Sequence, residues 1–292
     1  MRKVKELLIE KLLFASASIT IIVTIGIICV LSIEAFQFFS EVSIVEFLTD
    51  TQWTPLFTDK HFGILPLLSG TVLTSFIAIM VALPIGLSIS IYLSEYAPKG
   101  FRKTVKPLLE LLAAVPTVVY GFFALIVVTP FLQIIWPNLS GFNSLSAGIV
   151  MGIMIIPYVS SLSEDALQAV PNSLREASFG MGATRLQSAF KVIVPSASSG
   201  IIVSIILAIS RAIGETMIVA IAAGQQPRLT LDPTVPIETI TAYIVQVSLG
   251  DVEHGSIEYR TIFAAGITLF VFTFLLNTLS YRIRKKYQAK YE

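Results

Sequence analysis

Long apolar runs separated by short polar stretches dominate the chain. Residues 12–33, 62–94 and 261–281 contain no charged side chain, and residues 111–163 contain none over a length sufficient for two helices. A helix that crosses a bilayer needs about 20 mostly apolar residues. The polar, turn-forming stretch WPNLSGFN at 136–143 divides the longest run. Together with the apolar run at 192–223, the pattern predicts six membrane spans.

These runs are typical of helices. Apolar and polar residues do not alternate along them, as they would in a transmembrane barrel, and only helices and closed barrels satisfy their backbone groups within lipid. We predict one all-α transmembrane domain over residues 1–292. Its spans are expected at about 12–38, 64–94, 108–134, 143–163, 196–223 and 260–282, with long connections at 39–63, 164–195 and 224–259.

The composition supports a membrane protein and argues against several other classes. Of the 292 residues, 54% are hydrophobic and 13% are charged, about half the charged fraction of soluble domains. A net charge of +1 does not favour a nucleic-acid partner. The single cysteine, Cys29, cannot form an internal disulfide, and neither His61 nor His254 has ligand-like neighbours. We therefore predict no catalytic residue, metal or cofactor, and no nucleotide site, because no G-x-x-x-x-G-K-[ST] motif occurs.

The basic residues predict the orientation of the chain in the membrane. Lysine and arginine concentrate in the loops that face the cytoplasm. Sixteen of them lie at 2–11, 99–106, 175–191 and 282–290, whereas the other side carries only Lys60, Arg228 and Arg260. Both termini and the 164–195 connection are therefore expected in the cytoplasm. The two long outer connections are either functional or simple solvated links, and their length alone does not decide between these alternatives.

The cytoplasmic connection at 164–195 is too apolar and helix-prone to be a simple linker. Asn172 or Ser173 can cap a helix, and Gly180 and Gly182 punctuate its end. A second amphipathic piece then runs up to Pro195, where the fifth span is expected to begin. The pattern predicts a short helix, a glycine turn and a second helix.

This connection resembles the EAA loop of permease subunits of type I ABC importers, written E-A-A-x3-G-x9-I-x-L-P. Glu176, Ala177 and Ser178 match the opening triplet, and Gly182 matches the glycine. After nine residues, Val192, Val194 and Pro195 match the end of the motif conservatively. The resemblance implies the type I importer permease fold. It also implies that the short helix docks on a cytoplasmic ATPase dimer and transmits its nucleotide-driven closure.

Two apolar stretches resemble one branch of these importers, the phosphate-specific transport system of the bacterial inner membrane. They are LLAAVPTVVYGFFAL at 111–125 and SRAIGETMIVAIAAG at 210–224, and the GETM in the second is closer to the C-type than to the A-type subunit. The resemblance implies three partners besides the lipid bilayer. These are a homologous A-type permease subunit, the ATPase dimer, and an extracytoplasmic phosphate-binding protein.

Two charged residues interrupt the fifth apolar run. A charge near the bilayer centre costs at least about 2.5–3.5 kcal/mol and usually has a function. On a continuous helix Arg211 and Glu215 share a face and can pair, and a guanidinium suits a tetrahedral oxyanion. We expect both residues, with Thr216, to line the substrate pathway. The alternative is a purely structural ion pair.

Several functional alternatives remain open at this point. The arginine would suit sulfate, molybdate or tungstate as well as phosphate, because all are oxyanions. An ion-coupled secondary transporter would favour unwound helices at matching positions in two halves, and no such repeat is visible. A membrane receptor or scaffold would explain neither the EAA loop nor the intramembrane charges.

Overall fold

The structure, a computed structural model, describes residues 2–288, with side chains described for residues 6–282. Several basic residues used to predict the orientation lie outside the described side chains, namely Arg2, Lys3, Lys5 and those at 284–290. Within the described residues the chain is helical, with two isolated β-bridges, Trp53–Phe62 and Gly224–Ile237.

Fourteen α-helices make up the described chain. Their bounds are α1 Arg2–Glu41, α2 Ile44–Thr49, α3 Leu65–Ile91, α4 Lys99–Ala113, α5 Thr117–Phe123, α6 Thr129–Ile135, α7 Ser144–Gln168, α8 Asn172–Gly180, α9 Arg185–Ser188, α10 Val194–Ser196, α11 Ser198–Ile213, α12 Met217–Ala222, α13 Ile240–Leu249 and α14 Ile257–Gln288. Three π-helical segments extend or join them, at Tyr92–Tyr96, Ala124–Val128 and Ala189–Ile193.

Five stretches of helix in the described chain are long and apolar enough to cross a membrane. They are Glu6–Glu41, Leu65–Tyr96, Thr117–Ile135, Ser144–Gln168 and Ile257–Arg282. A sixth is possible if the pair Arg185–Ser196 and Ser198–Ile213, bent by 73°, counts as one span. The protein is therefore a helical, multi-pass membrane protein with five or six candidate spans.

The fifth predicted span differs from expectation. Residues 196–223 were expected to form one helix, but α11 begins after a bend at Ala197 and ends at Ile213. Gly214, Glu215 and Thr216 then interrupt the helix before α12 begins. Glycine is a poor helix former, and the Glu215 carboxylate bonds to the amides that start α12, which favours the break.

Helices α3 and α7 form the centre of the bundle, and glycines let them approach closely. A Cβ added at Gly148 would lie 2.7 Å from the Ile77 side chain, and one at Gly152 would lie 2.8 Å from the Ala78 carbonyl oxygen. Helix α11 packs on α7 through small residues, which let the two helices approach closely. Ser204 is fully buried and its hydroxyl lies 2.6 Å from that of Ser163.

The two ends of the bundle have different characters. The side with residues 42–64 and 224–256, here called the outer side, is closed by a cluster of buried aromatic residues, Phe38, Phe47, Trp53, Phe62 and Tyr243. Parts of both long outer connections are therefore packed against the helices, whereas residues 225–232 are mostly exposed. The opposite end, here called the inner side, carries α4 and α8–α10. There the fully buried Glu164 pairs with Arg102 at 2.6 Å and Lys106 at 2.9 Å.

Candidate transport site and coupling loop

The predicted pairing of Arg211 with Glu215 is wrong. Arg211 lies in the last turn of α11, whereas Glu215 lies in the non-helical break that follows. The helical spacing that would place them on one face therefore does not apply. No salt bridge joins the two side chains, both of which the structure describes.

Glu215 caps the helix after the break. Its carboxylate oxygen accepts hydrogen bonds from the backbone amides of Met217 at 3.1 Å and Ile218 at 3.3 Å. Its own carbonyl oxygen accepts a bond of 2.6 Å from the hydroxyl of Thr241. A carboxylate at a helix N-terminus satisfies free amides and favours the helix dipole. The residue is only 8% exposed, so water competes little for these hydrogen bonds.

Arg211 is held by apolar and aromatic groups of α7. The guanidinium carbon lies 4.4 Å from the centre of the Tyr158 ring, and one guanidinium nitrogen lies 3.9 Å from the Met154 sulfur. Its Nε atom is buried without a hydrogen-bond partner. Among the described side chains no carboxylate forms a salt bridge with Arg211. The bundle thus contains a half-buried guanidinium without a countercharge.

The third predicted pathway residue, Thr216, lies at the N-cap of α12 and is half-buried. Its hydroxyl donates to the Gly214 carbonyl oxygen at 3.4 Å. The first amides of α12 are bonded by Glu215 instead. Residues 211, 215 and 216 therefore all lie at or beside one break. Glu215 and Thr216 maintain the break, and Arg211 supplies the charge.

The predicted helix–turn–helix at the EAA-like loop is present. Helix α8 contains Glu176, Ala177 and Ser178, and Gly182 follows it with a φ of +81°. L-residues rarely adopt this left-handed conformation, whereas glycine does so readily. Thr184 and Gln187 then form a capping box that starts α9. The start of α8 differs from expectation, since Pro171 holds the N-cap position and no side chain caps the helix.

One surface of this loop is apolar and uncovered. Glu176 and Ala177 are exposed, while Ser178 is buried against the bundle. Large apolar side chains also face outward, namely Phe179, Met181, Leu186 and Phe190, and Met181 is 89% exposed. Pro195 lies in α10, next to the 73° bend that leads into α11. Exposed apolar patches of this kind mark interaction surfaces.

The role of Arg175 was not predicted from the sequence, although this residue lies beside the EAA-like triplet. It donates hydrogen bonds to the carbonyl oxygens of Val170 at 2.6 Å and Leu167 at 2.7 Å, and to Glu95 at 3.0 Å. Glu95 lies in the π-helical segment that extends α3. An arginine among other basic loop residues gives no signal for such a role, because its partners are distant in sequence or are backbone atoms.

A second residue that sequence reasoning missed is Glu238 in the outer connection. It is 1% exposed and lines a cavity of about 280 Å³ beside Trp53 and Tyr243. Burial raises the pKa of this carboxyl to about 8. One of its oxygens has no hydrogen-bond partner. In the sequence Glu238 is one of several acidic residues in this connection, and only the folded structure shows that it is buried.

No group of three or more potential metal ligands occurs in the part of the chain that the structure describes. The arrangement instead combines a bundle with an unpaired cation, a break in a helix, and an exposed helical loop on the inner side. These features suit a membrane transport protein. The chain belongs to the family of binding-protein-dependent transport system inner membrane components, whose profile matches residues 82–290.

Individual relatives belong to the same kind of protein and indicate which branch of the family this chain resembles. The chain is 34% identical over 280 residues to the probable ABC transporter permease YqgH of Bacillus subtilis, covering 95% of this chain and 90% of that protein. It is 35% identical over 253 residues to the phosphate transport system permease PstC of Mesorhizobium japonicum, covering 80% and 76%. The sequence-based resemblance to C-type phosphate permeases is confirmed.

Solved structures support the fold. A chain from a bacterial ABC transporter for alginate import aligns with a TM-score of 0.64 at 19% identity, covering 97% of this chain and 99% of that one. A chain from the MetNI methionine ABC transporter aligns with a TM-score of 0.56 at 20% identity, covering 77% and 94%. The protein is an ABC importer permease of the bacterial inner membrane with the type I fold.

Proposed function

We propose that this chain is the C-type permease subunit of an ATP-driven importer of inorganic phosphate. The single observation that carries the choice of an anionic substrate is the guanidinium of Arg211, which has no carboxylate partner. A charge in this position is costly when it is uncompensated. A passing oxyanion compensates it by accepting charge-assisted hydrogen bonds.

The similarity to phosphate permeases favours phosphate among the oxyanions. The sequence of the break, from Arg211 to Thr216, is part of the stretch that resembles these permeases. In this proposal Arg211 contacts the anion, and Glu215 and Thr216 shape the pathway by holding the break between α11 and α12. Tyr158 and Met154 orient the guanidinium from α7.

The proposal assigns the exposed loop on the inner side to an ATPase. Glu176, Ala177 and Ser178 on α8, with Gly182 and Pro195, form the coupling region. The uncovered apolar side chains around Met181 supply contact area for a partner. ATP hydrolysis belongs to that partner, and this subunit itself catalyses no reaction.

Assembly with other subunits follows from the same reasoning. One chain offers half of a pathway, so we expect a homologous A-type permease subunit, a dimer of cytoplasmic ATP-binding subunits and an extracytoplasmic phosphate-binding protein. Both termini and the coupling loop lie in the cytoplasm in this arrangement. One of the similar alginate transporter structures is a complex with a periplasmic protein.

The proposal is tested with labelled phosphate. The chain is co-expressed with its partner subunits, reconstituted in liposomes, and uptake is measured with and without ATP and with an excess of sulfate. We expect uptake that requires ATP and the binding protein and that sulfate does not inhibit. Strong inhibition by sulfate, together with sulfate uptake, would assign the permease to another oxyanion. Uptake without ATP would contradict the proposal that the importer is driven by ATP.

A further inference from the structure

Arg175 connects three separate elements on the inner side of the bundle. It projects from α8, and its guanidinium reaches the Leu167 carbonyl of α7 and the Val170 carbonyl just beyond it. The same group contacts both carboxylate oxygens of Glu95, at 3.0 Å and 3.4 Å, in the extension of α3. The side chains of Arg175 and Glu95 are 15% and 9% exposed, so solvent competes little for these contacts.

The geometry of this contact suits an arginine and no other side chain. A guanidinium is a rigid planar fork with five donors, and here it serves two carbonyl oxygens and a carboxylate at once. The Leu167 carbonyl lies at the C-terminus of α7, which carries the negative end of the helix dipole, and its backbone bond from the Val170 amide is long, at 3.4 Å. A lysine could keep the charge but could not donate in three fixed directions.

Without this contact, α8 would be attached to the core less firmly. Only residues 169–171 connect α7 to α8, and α8 has no side-chain cap at its start. Most of its residues are exposed, with Ser178 the only buried one. Helices α3 and α7, by contrast, are packed tightly through glycines at the centre of the bundle. The Arg175 contact therefore ties a peripheral helix to the two central ones.

We infer that Arg175 is the positioning residue that makes α8 move as one body with α3 and α7, with Glu95 as its carboxylate partner. This inference rests on the proposed role of α8 as the helix that contacts the ATPase. A displacement of α8 by the ATPase is passed through Arg175 to the ends of the central helices. The residue does not contact the substrate and acts only through these elements.

The test measures phosphate uptake and ATP hydrolysis in the same reconstituted complex. In Arg175→Ala we expect the ratio of phosphate transported to ATP hydrolysed to fall by about tenfold, the change in an equilibrium that 1.4 kcal/mol produces. Arg175→Lys and Glu95→Gln should lower the ratio less. Arg282→Ala is the matched control, because Arg282 is an exposed arginine on α14, outside the loop, and should leave the ratio unchanged.

A second measurement does not depend on transport. With Cys29 replaced by serine, spin labels are placed at Ser173 on α8 and at Ile85 on α3, both exposed. The distance between them should stay constant in the wild type when ATP binds, and should change or broaden in Arg175→Ala. An unchanged distance and a normal transport ratio in an assembled Arg175→Ala complex would overturn the inference.

The remaining outcomes are also decisive. If Arg175→Ala does not assemble, Arg175→Lys and Glu95→Gln decide, and a normal ratio in both overturns the inference. If the wild-type complex does not transport phosphate at all, the proposed function fails. The labelled distances then still report whether Arg175 couples α8 to α3, so the two failures are distinguishable.

Discussion

Replacing Gly182 isolates the effect of backbone conformation in the coupling loop. The residue has a φ of +81°, and a Cβ added there would meet no atom within 4 Å. The substitution Gly182→Val therefore creates no collision. An L-residue in the left-handed region costs roughly 1–2 kcal/mol, and a β-branched residue is the least suited to it. The turn between α8 and α9 should consequently rearrange.

A cost of this size changes a local equilibrium by a factor of roughly 5–30. We expect Gly182→Val to insert and assemble, because the site has no packing role, while α8 loses its fixed angle to α9. ATP hydrolysis should then continue with much less phosphate uptake. The assay compares both rates in proteoliposomes containing the complete importer, after assembly has been checked by co-purification.

Two control variants make the assay specific. Gly180→Val places the same side chain two residues earlier, in the last helical position, where a Cβ also meets no atom within 4 Å and φ is not positive. It should transport normally, because valine forms helix at least as well as glycine. Gly182→Asn should be close to wild type, since asparagine tolerates the left-handed region. Normal coupling in Gly182→Val would refute the reasoning.

The other predictions concern stability. Glu215→Ala removes the acceptor for two α12 amides and should lower the free energy of unfolding by about 1 kcal/mol. Glu215→Gln keeps an acceptor and should lower it less. Equal thermal stability of both variants and the wild type in detergent would contradict the capping role. Burial raises the pKa of Glu238 from its ordinary value of 4.5 to about 8 in the folded protein. Because its folded pKa is raised, the neutral form favours folding, and this stability is lost as the pH rises from about 4.5 through 8. Glu238→Gln should therefore match the wild type near pH 5 and exceed it at pH 8 by on the order of 3–5 kcal/mol. If the melting temperatures of the wild type and Glu238→Gln changed with pH in parallel, this prediction would be contradicted.

The apolar runs were sufficient to predict the class of fold, because charge-free stretches of about 20 residues have few alternatives in a bilayer. The bend between α6 and α7 was predicted from WPNLSGFN, and Asn143 caps α7 there with a bond of 2.7 Å to the Ser146 amide. The helix–turn–helix before α11 was predicted from its glycines. In each case local sequence determines local structure.

The failures lie where tertiary contacts override local periodicity. The stretch around Arg211 and Glu215 is mostly apolar and contains no proline, so it suggests a continuous helix. The carboxylate of Glu215 instead turns back to the α12 amides, while Thr241 holds its carbonyl. Neither contact can be read from spacing. The partners of Arg175 were hidden for the same reason, since Glu95 lies 80 residues away.

The most direct test of the central claim is ATP-driven uptake of labelled phosphate by importers that carry single substitutions of Arg211. The substitutions are compared at equal assembly, with Arg282→Gln, on α14 and outside the coupling loop, as the control for loss of an exposed arginine. If Arg211 contacts the anion, Arg211→Gln abolishes uptake while the complex still assembles. Arg211→Lys then retains part of the activity, because it keeps the charge and loses the planar fork. Uptake by an assembled Arg211→Gln importer at the wild-type rate would contradict the account.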